Sequence, residues 1–343
     1  MAALLLAHPD AANTADENNK MPLHVAIERQ AGLEVVRALL QASLYTASMP
    51  DDEQDGKLPL HIAIERHACQ EVVAALLQAY DGAASTADWR GQLPLHYAVQ
   101  HQAGLEVVAA LIRAYPEGAS TAEEEEGKLP LHLAVKNKEM VTVLLQACPD
   151  AASTADEEGK LPLHEAVERQ AVPEVVAALL HVYPDAAKLP HWGKSMPLHY
   201  AIQKQARPEV VTALLQAFPE AVGMADLDGK LPLYYALLTH LGPELVIALL
   251  EAYPPAANKP DVFQKWPLHY AVELQSGPEV VEELLKLCPH AASISDKNGK
   301  MPLHYVTEKY AWPEVVTALL HAYPDAAKTP DMGGKMPLHV LEY

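Results

Sequence analysis

Proline constrains this chain more than any other residue, because it recurs at a fixed interval. Ten prolines stand in a tetrapeptide of the form Leu/Met-Pro-Leu-His or a close variant: Pro22, Pro59, Pro94, Pro130, Pro162, Pro197, Pro232, Pro267, Pro302 and Pro337. Their spacings are 37, 35, 36 and 32 residues, then 35 five times. Eight more end an Ala-Tyr-Pro-like string (Pro9, Pro116, Pro149, Pro184, Pro219, Pro254, Pro289, Pro324), and five precede a Glu-Val-Val-like string (Pro173, Pro208, Pro243, Pro278, Pro313). These three positions hold 23 of the 28 prolines. Self-similarity at one period of this size is the mark of a solenoid.

Each proline position has a mechanical meaning. In the copy that starts at Lys160, Pro162 sits at the first helical position, where its missing N–H costs nothing. Leu163, Ala166 and Val167 follow at i, i+3 and i+4, which predicts a short amphipathic helix. Pro173 opens a second helix, with Glu174 against its positive N-terminal dipole and an apolar stripe of Val175, Val176, Leu179 and Leu180. Pro184 cannot continue that helix, and a loop is expected from Asp185 to Gly193. Helices of roughly 10 residues are not stable alone. Stacking must supply about 1.5–3 kcal/mol per fully buried large apolar side chain.

The strings Leu93-Pro-Leu-His-Tyr-Ala98 with Leu105-Glu-Val-Val108, and Leu161-Pro-Leu-His-Glu-Ala166 with Pro173-Glu-Val-Val176, resemble the ankyrin repeat, as does Asp-x-x-Gly ahead of copies such as that at Pro94. The resemblance runs the length of the chain. It implies an all-α, helix-turn-helix repeat solenoid over residues 1–343, with nine complete helix pairs and a half unit at each end. Met1 to His8 aligns with the tail of a second helix, and residues 337–343 with a first helix. Ends of this kind lack a polar cap, so the expectation is a piece of a longer array or ends that pack on something, including one another. Three departures stand out. The period is 35 rather than 33. Leu, Met or Trp266 precedes the proline, which removes a side-chain N-cap worth ~1 kcal/mol. Tyr-Pro or Cys-Pro ends the second helix in place of Gly.

Composition excludes several classes of function. The formal charge of −20 argues against nucleic acid, which calls for a lysine and arginine surplus, and against anionic lipid. It favours a partner with a basic or neutral surface. No run approaches the ~18 apolar residues of a membrane span. Three cysteines make no disulfide framework and point to a reducing compartment, the cytoplasm being the expectation.

No catalytic set, cofactor motif or metal site emerges, so an enzyme is not expected. Gly193-Lys194-Ser195 has no glycine five residues upstream to make a phosphate loop, and position 168 is Glu where His-Glu-x-x-His needs a second His. The nine histidines of the Pro-Leu-His position (His24, His61, His96, His132, His164, His199, His269, His304, His339) recur at the ~8–10 Å spacing of stacked helices, too far apart to share one ion. In the resembled family this His bonds loop backbone between repeats. His67 with Cys69, near His101, is the best remaining metal constellation and a weak one. Tyr97, Tyr200, Tyr235, Tyr270 and Tyr305 follow the His and are expected to pack between first helices. A lysine row (Lys20, Lys57, Lys128, Lys160, Lys230, Lys265, Lys300, Lys335) precedes each Leu-Pro, where salt bridges to acidic loop tips are expected.

Departures from the pattern mark the candidate binding residues. Trp89-Arg90, Trp192 and Val262-Phe263 stand at loop tips, and Gln92 and Ser195 interrupt the lysine row. Trp and Arg dominate interface hot spots. The resemblance implies a scaffold that binds a partner protein along the concave groove. Trp89, Arg90, Trp192 and Phe263 would anchor it, and His67, Gln92, Gln100, His101, Gln203 and His240 would tune specificity. The competing reading of the tip aromatics has them folded onto the neighbouring loop. Two other roles fit the same architecture: the recognition arm of a larger enzyme or channel, and a structural spacer.

Overall fold

A computed structural model describes residues 8–17, 20–52, 55–191, 194–240, 242–308 and 312–337. The prolines act where the repeat requires. In the first unit, residues 1–183, the helices are α1 (Pro22–Glu28), α2 (Leu33–Ala42), α3 (Pro59–Glu65), α4 (Gln70–Ala79), α5 (Pro94–Gln100), α6 (Leu105–Ala114), α7 (Pro130–Ala134), α8 (Lys138–Ala147), α9 (Pro162–Glu168) and α10 (Pro173–Val182). In the second, residues 184–343, they are α11 (Pro197–Gln203), α12 (Pro208–Ala217), α13 (Pro232–Leu238), α14 (Pro243–Ala252), α15 (Pro267–Glu273), α16 (Pro278–Leu287), α17 (Pro302–Glu308) and α18 (Pro313–Ala322). All nine helix pairs are present among the described residues. Residues 1–7 and 338–343, which carry most of the two expected half units and His339, lie outside them.

Within the first unit the first helices α1, α3, α5, α7 and α9 pack in sequence, and so do the second helices α2, α4, α6, α8 and α10. Within the second, α11, α13, α15 and α17 pack in sequence, as do α14, α16 and α18. Alanine at the fifth position of the first helix (Ala63, Ala98, Ala134, Ala166; Ala201, Ala236, Ala271) is buried throughout and lets neighbouring helices approach closely. The Leu after each helix-opening proline and the Val and Leu stripe of each second helix complete the core.

One expected loop is partly helical. Where a Pro ends a second helix it starts a five-residue 3-10 turn, as in Pro116–Ser120, Pro149–Ser153, Pro184–Lys188 and Pro254–Asn258. Its central alanines, such as Ala151 and Ala152, are buried, and small size is what admits the extra turn. Sequence alone showed a proline that stops one helix. It did not show that the same residue starts another.

The expected absence of a side-chain N-cap holds, and a different bond stands at the same helix start. His at the third helical position turns back, and its Nδ1 accepts the backbone N–H that precedes the proline: Leu58 to His61 at 3.1 Å, Leu93 to His96 at 3.0 Å, Met196 to His199 at 3.1 Å. That is the returning half of a capping box. With Nδ1 an acceptor, the proton of the neutral ring sits on Nε2. Nε2–H then donates to a carbonyl in the next repeat: His24 to Met49 (3.0 Å), His61 to Gln92 (3.1 Å), His96 to Thr121 (3.1 Å), His132 to Lys160 (3.0 Å), His199 to Lys230 (3.2 Å) and His269 to Lys300 (3.2 Å). In α13 the position is Tyr234. Its hydroxyl reaches the carbonyls of Lys259 and Lys265 (3.1 Å for the latter), so the bridge survives while the N-cap acceptor is lost.

The first helices end with a residue in the left-handed region that is not glycine: Gln30, His67, Gln102, Gln170, Gln205, His240 and Gln275, with φ between 52° and 55°. The N–H of the following residue bonds back to the alanine of the core, as in Ala31 to Ala26 and Ala68 to Ala63, both 2.8 Å. This is a Schellman closure without its usual glycine. Glutamine offsets the backbone cost by bonding forward to the next repeat, Gln30 Nε2 to the Arg66 carbonyl at 3.1 Å and Gln205 Nε2 to that of Thr239 at 3.2 Å. The 32-residue copy omits this turn. Asn137 caps α8 directly, its side-chain oxygen accepting the Met140 N–H at 3.1 Å.

Burial lowers His61 and His269 to about 4, well below the ordinary 6.5. Burial also lowers His24, His96, His132 and His199. A second ring proton would, in addition, break the bond at Nδ1. The sign of the pH dependence follows from linkage. The unfolded chain binds protons below pH 6.5, while the folded chain holds His61 and His269 neutral until about pH 4. The stability these rings contribute is therefore complete above pH 6.5 and is lost as pH falls through that window. Each ring contributes a slope of up to about 1.4 kcal/mol per pH unit. Denaturant midpoints measured from pH 8 down to pH 5 are expected to stay flat to about 6.5 and then fall steeply, with net proton uptake on unfolding. A flat profile across the whole range would contradict the neutral ladder.

Candidate functional site

Most tips are built around one acidic residue, and His191 takes its place in one. Asp88 Oδ1 accepts the N–H groups of Arg90 (3.0 Å) and Gln92 (2.8 Å), closing the loop from inside. Asp226, Asp261 and Asp296 do the same for the residues two and four places on, and Glu123 bonds the N–H groups of Glu125, Glu126 and Lys128. The second oxygen of the Asp accepts a tyrosine hydroxyl nine residues on: Tyr97 to Asp88 at 2.7 Å, Tyr235 to Asp226 at 2.5 Å, Tyr270 to Asp261 at 2.8 Å, Tyr305 to Asp296 at 2.6 Å. The tyrosine row does pack between first helices: Tyr97, Tyr235 and Tyr305 stand edge-on to the preceding histidine, as in His61–Tyr97 (5.1 Å) and His199–Tyr235 (5.8 Å), and Tyr270 edge-on to Tyr234 (5.3 Å). Its hydroxyl has the additional task of holding the tip. Burial and the neighbouring carboxylate raise the Tyr97, Tyr235 and Tyr270 hydroxyls above the ordinary phenol range, so they remain donors. Burial alone would raise Asp296, but the Tyr305 hydroxyl and the N–H groups of Asn298 and Lys300 hold it below the ordinary range.

The lysine row reaches acidic tips as expected, Lys20 to Asp51 at 3.6 Å for one, and it also reaches a second kind of partner. Lys20 pairs with Glu28 (2.7 Å), Lys57 with Glu65 (2.9 Å), Lys160 with Glu168 (3.0 Å), and Lys265 with Glu273. In each of these pairs the partner is eight residues on, at the far end of the following first helix. Lys128, Lys160 and Lys230 also contact tip acids Glu126, Glu158 and Asp228. The ammonium groups lie over tyrosine rings, Lys265 between Tyr270 (4.4 Å) and Tyr305 (4.7 Å), Lys57 over Tyr97 (5.2 Å). Where the row is interrupted the glutamate is missing too: Gln92 is matched by Gln100, and Ser195 by Gln203. That pairing is written in the sequence at i and i+8, and reading each row separately conceals it.

Neighbouring tips are joined by backbone. Trp89 N–H donates to the Asp55 carbonyl (2.8 Å), Glu124 to Arg90 (3.2 Å) and Glu157 to Glu126 (3.1 Å) in the first unit; Val262 donates to Asp228 (3.0 Å) and Met332 to Asn298 (3.2 Å) in the second. The residue that donates lies on the glycine of the preceding tip. A Cβ on Gly56 would fall inside the Trp89 indole, and one on Gly91 inside the Glu124 side chain; both glycines have φ above +70°.

These contacts place the candidate residues. Trp89 does fold onto the neighbouring loop at Gly56, yet it remains 63% exposed, so both readings of this residue hold at once. Arg90 bridges two neighbouring tips through Asp55 (3.0 Å) and Glu125 (3.8 Å). His101 stacks on Tyr97 (5.9 Å, 15°) and stands edge-on to His67 (6.4 Å). His67, His101 and Tyr97 thus form one cluster at the end of the first helices, and Gln100 is exposed beside it. In the second unit Gln203 and His240 are exposed, and Phe263, 43% exposed, carries the Lys297 ammonium 4.2 Å over its ring. Trp192 lies outside the described residues. Among the described residues no three His, Cys, Asp or Glu side chains group as a metal ion would need, the His67, Cys69 and His101 set included. No helix among them is long and apolar enough to cross a membrane.

Residues 1–88, 47–121 and 95–189 match the family model described as ankyrin repeats, in three copies. No curated protein matches the chain. Among solved structures it is similar to the ankyrin repeat domain of Bcl-3, a member of the IkappaB protein family. The identity is 23%, the match covers 67% of this chain and 98% of that one, and the TM-score is 0.53.

Replacing Tyr97 by Phe removes a bond to a charged acceptor and leaves a buried Asp88 oxygen without a donor. The expected cost is about 1.5–3 kcal/mol in denaturant unfolding. A loss below ~0.5 kcal/mol would mean that the hydroxyl does not hold the tip.

Proposed function

The chain belongs to the ankyrin repeat family, whose domains generally mediate protein–protein interaction, and we propose that it is a binding scaffold that takes a partner protein on its first-helix and loop-tip face. The observation that carries this reading is the contrast along that face. On several rungs polar groups consume one another, Lys with Glu (Lys20, Lys57, Lys160, Lys265) or Tyr with Asp (Tyr97, Tyr235, Tyr270, Tyr305). The rung at Gln92 and Gln100 breaks the pattern and sits with an exposed indole, an exposed amide and a histidine cluster. Polar groups without a charged mate, next to a large aromatic surface, suit recognition of a partner.

In the first unit the binding residues are Trp89, Arg90, Gln92, Gln100, His101 and His67. In the second they are Gln203, His240 and Phe263, and Trp192 is proposed with them on sequence grounds alone. The charge supports a partner with a basic or neutral surface, and an on-rate that falls with salt. The first unit carries 27 acidic against 12 basic side chains, which accounts for −15 of the −20. In sequence the repeat continues through residue 184 at its 35-residue period, which supports reading 1–343 as one repeat domain.

Crosslinking in the native source would supply the partner. Trp89→Ala and Phe263→Ala in the full chain are each expected to weaken its binding on the order of tenfold or more, and Glu314→Ala on α18 to leave it unchanged. Unchanged binding in both aromatic variants, with thermal stability retained, would overturn the assignment of this face.

A further inference from the structure

One rung of the first unit carries a second carboxylate where the residue after the histidine is elsewhere Val25, Ile62, Tyr97 or Leu133. In four repeats a tyrosine hydroxyl occupies the second oxygen of the tip Asp. In the repeat that starts at Asp156 the tyrosine position is Glu165. Asp156 still closes its loop, its Oδ1 accepting the Lys160 N–H at 2.8 Å. Its Oδ2 is buried, in a residue only 7% exposed, and no group among the described residues donates to it. Glu165 is itself only 3% exposed and is held by Arg169 at 2.5 Å. An ionised carboxylate has no proton to give, so Glu165 cannot do for Asp156 what Tyr97 does for Asp88.

The cations nearby are engaged. Lys160 lies between Glu158 (3.1 Å) and Glu168 (3.0 Å), Lys128 is on Glu126, and Arg169 is on Glu165. The tip acids Glu157 and Glu158 and the preceding run Glu124 to Glu126 add further negative charge. A buried carboxylate oxygen without a donor is costly, and a second carboxylate at the donor's position raises that cost. The group that relieves both is a cation that can donate hydrogen bonds. The position elsewhere admits a hydroxyl at the tip of a ring, which suits a compact ammonium better than a planar guanidinium. The Arg169 side chain is more than a third exposed, so solvent can take up its charge when a second cation competes for Glu165.

We infer that a lysine side chain of the partner protein completes this rung, its ammonium set between Asp156 and Glu165. The inference rests on the reading of this face as a protein-binding surface, and it names the side chain recognised there.

The probe is a fluorescently labelled hexalysine peptide titrated into the full chain at fixed salt. Three variants separate the rung from bulk charge. Glu165→Tyr supplies the donor found in four other repeats. Asp156→Asn removes the charge and keeps the loop-closing oxygen. Glu139→Gln, exposed on α8, removes one charge elsewhere. Hexalysine is expected to bind the unaltered chain, to bind at least tenfold more weakly to Glu165→Tyr and to Asp156→Asn, and to bind Glu139→Gln within twofold of the unaltered chain. Hexa-arginine should bind more weakly than hexalysine, and fully acetylated hexalysine should not bind. The Glu165→Tyr variant should melt no lower than the unaltered chain, since its hydroxyl can take the place described for Tyr97. No binding of hexalysine, equal binding by Glu165→Tyr, equal or tighter binding of hexa-arginine, or an equal loss in Glu139→Gln would each overturn the proposal. Capture of the native partner that is lost in Trp89→Ala but kept in Glu165→Tyr would overturn it while leaving the wider reading in place. Loss in neither would end both.

Discussion

A single imidazole, used twice, holds one repeat to the next. Nδ1 accepts the N–H at the start of its own helix, and Nε2–H donates to the loop of the following copy. The two bonds make opposite demands on one ring, and only the neutral tautomer with its proton on Nε2 meets both. Because the ring spans the junction, the entry angle of each first helix and the path of the next loop are set together. The Pro at the first helical position leaves the ring room to turn back, and the buried Leu beside it fixes the depth. Tyr234 shows which half of the device is indispensable: the forward bond is kept, and the N-cap is given up.

That economy extends to the face where a partner would bind. Lysine is neutralised by a glutamate eight residues on, and tyrosine is tied to the tip aspartate. Rungs paired in this way offer a partner little except shape. Exceptions such as Gln92 with Gln100, or Glu165 for tyrosine, are where chemistry remains to be satisfied by another molecule. The charge of the chain must be read in the same way. Much of it is already matched inside the repeat, and the surplus is concentrated in the first unit.

The helix pairs were legible because proline and apolar periodicity act locally: Pro162 and Pro173 each announce a helix start, and Val175, Val176, Leu179 and Leu180 announce the buried stripe. The 3-10 turns were not, since a proline after Tyr183 reads only as a stop. The left-handed glutamines were hidden for another reason: Gln30 is suited to a bond with Arg66 in the following repeat, and local propensity would have asked for glycine. Of the candidate site, the exposed Trp89 and the His67–His101 neighbourhood could be anticipated from pattern breaks. The backbone bond from Trp89 to Asp55 could not, because main-chain hydrogen bonds leave no mark on side-chain identity.

The ladder between tips has a consequence of its own. Its rungs are peptide groups, so the side chain above each rung is indifferent to the bond below it, and Trp89, Glu124, Glu157, Val262 and Met332 all occupy that one place. Framework and lettering are inherited separately. An array of this design can exchange an indole for an acid or a thioether at any tip by substitution at one position and keep its geometry. Partner choice can then drift quickly across copies while the architecture stays still.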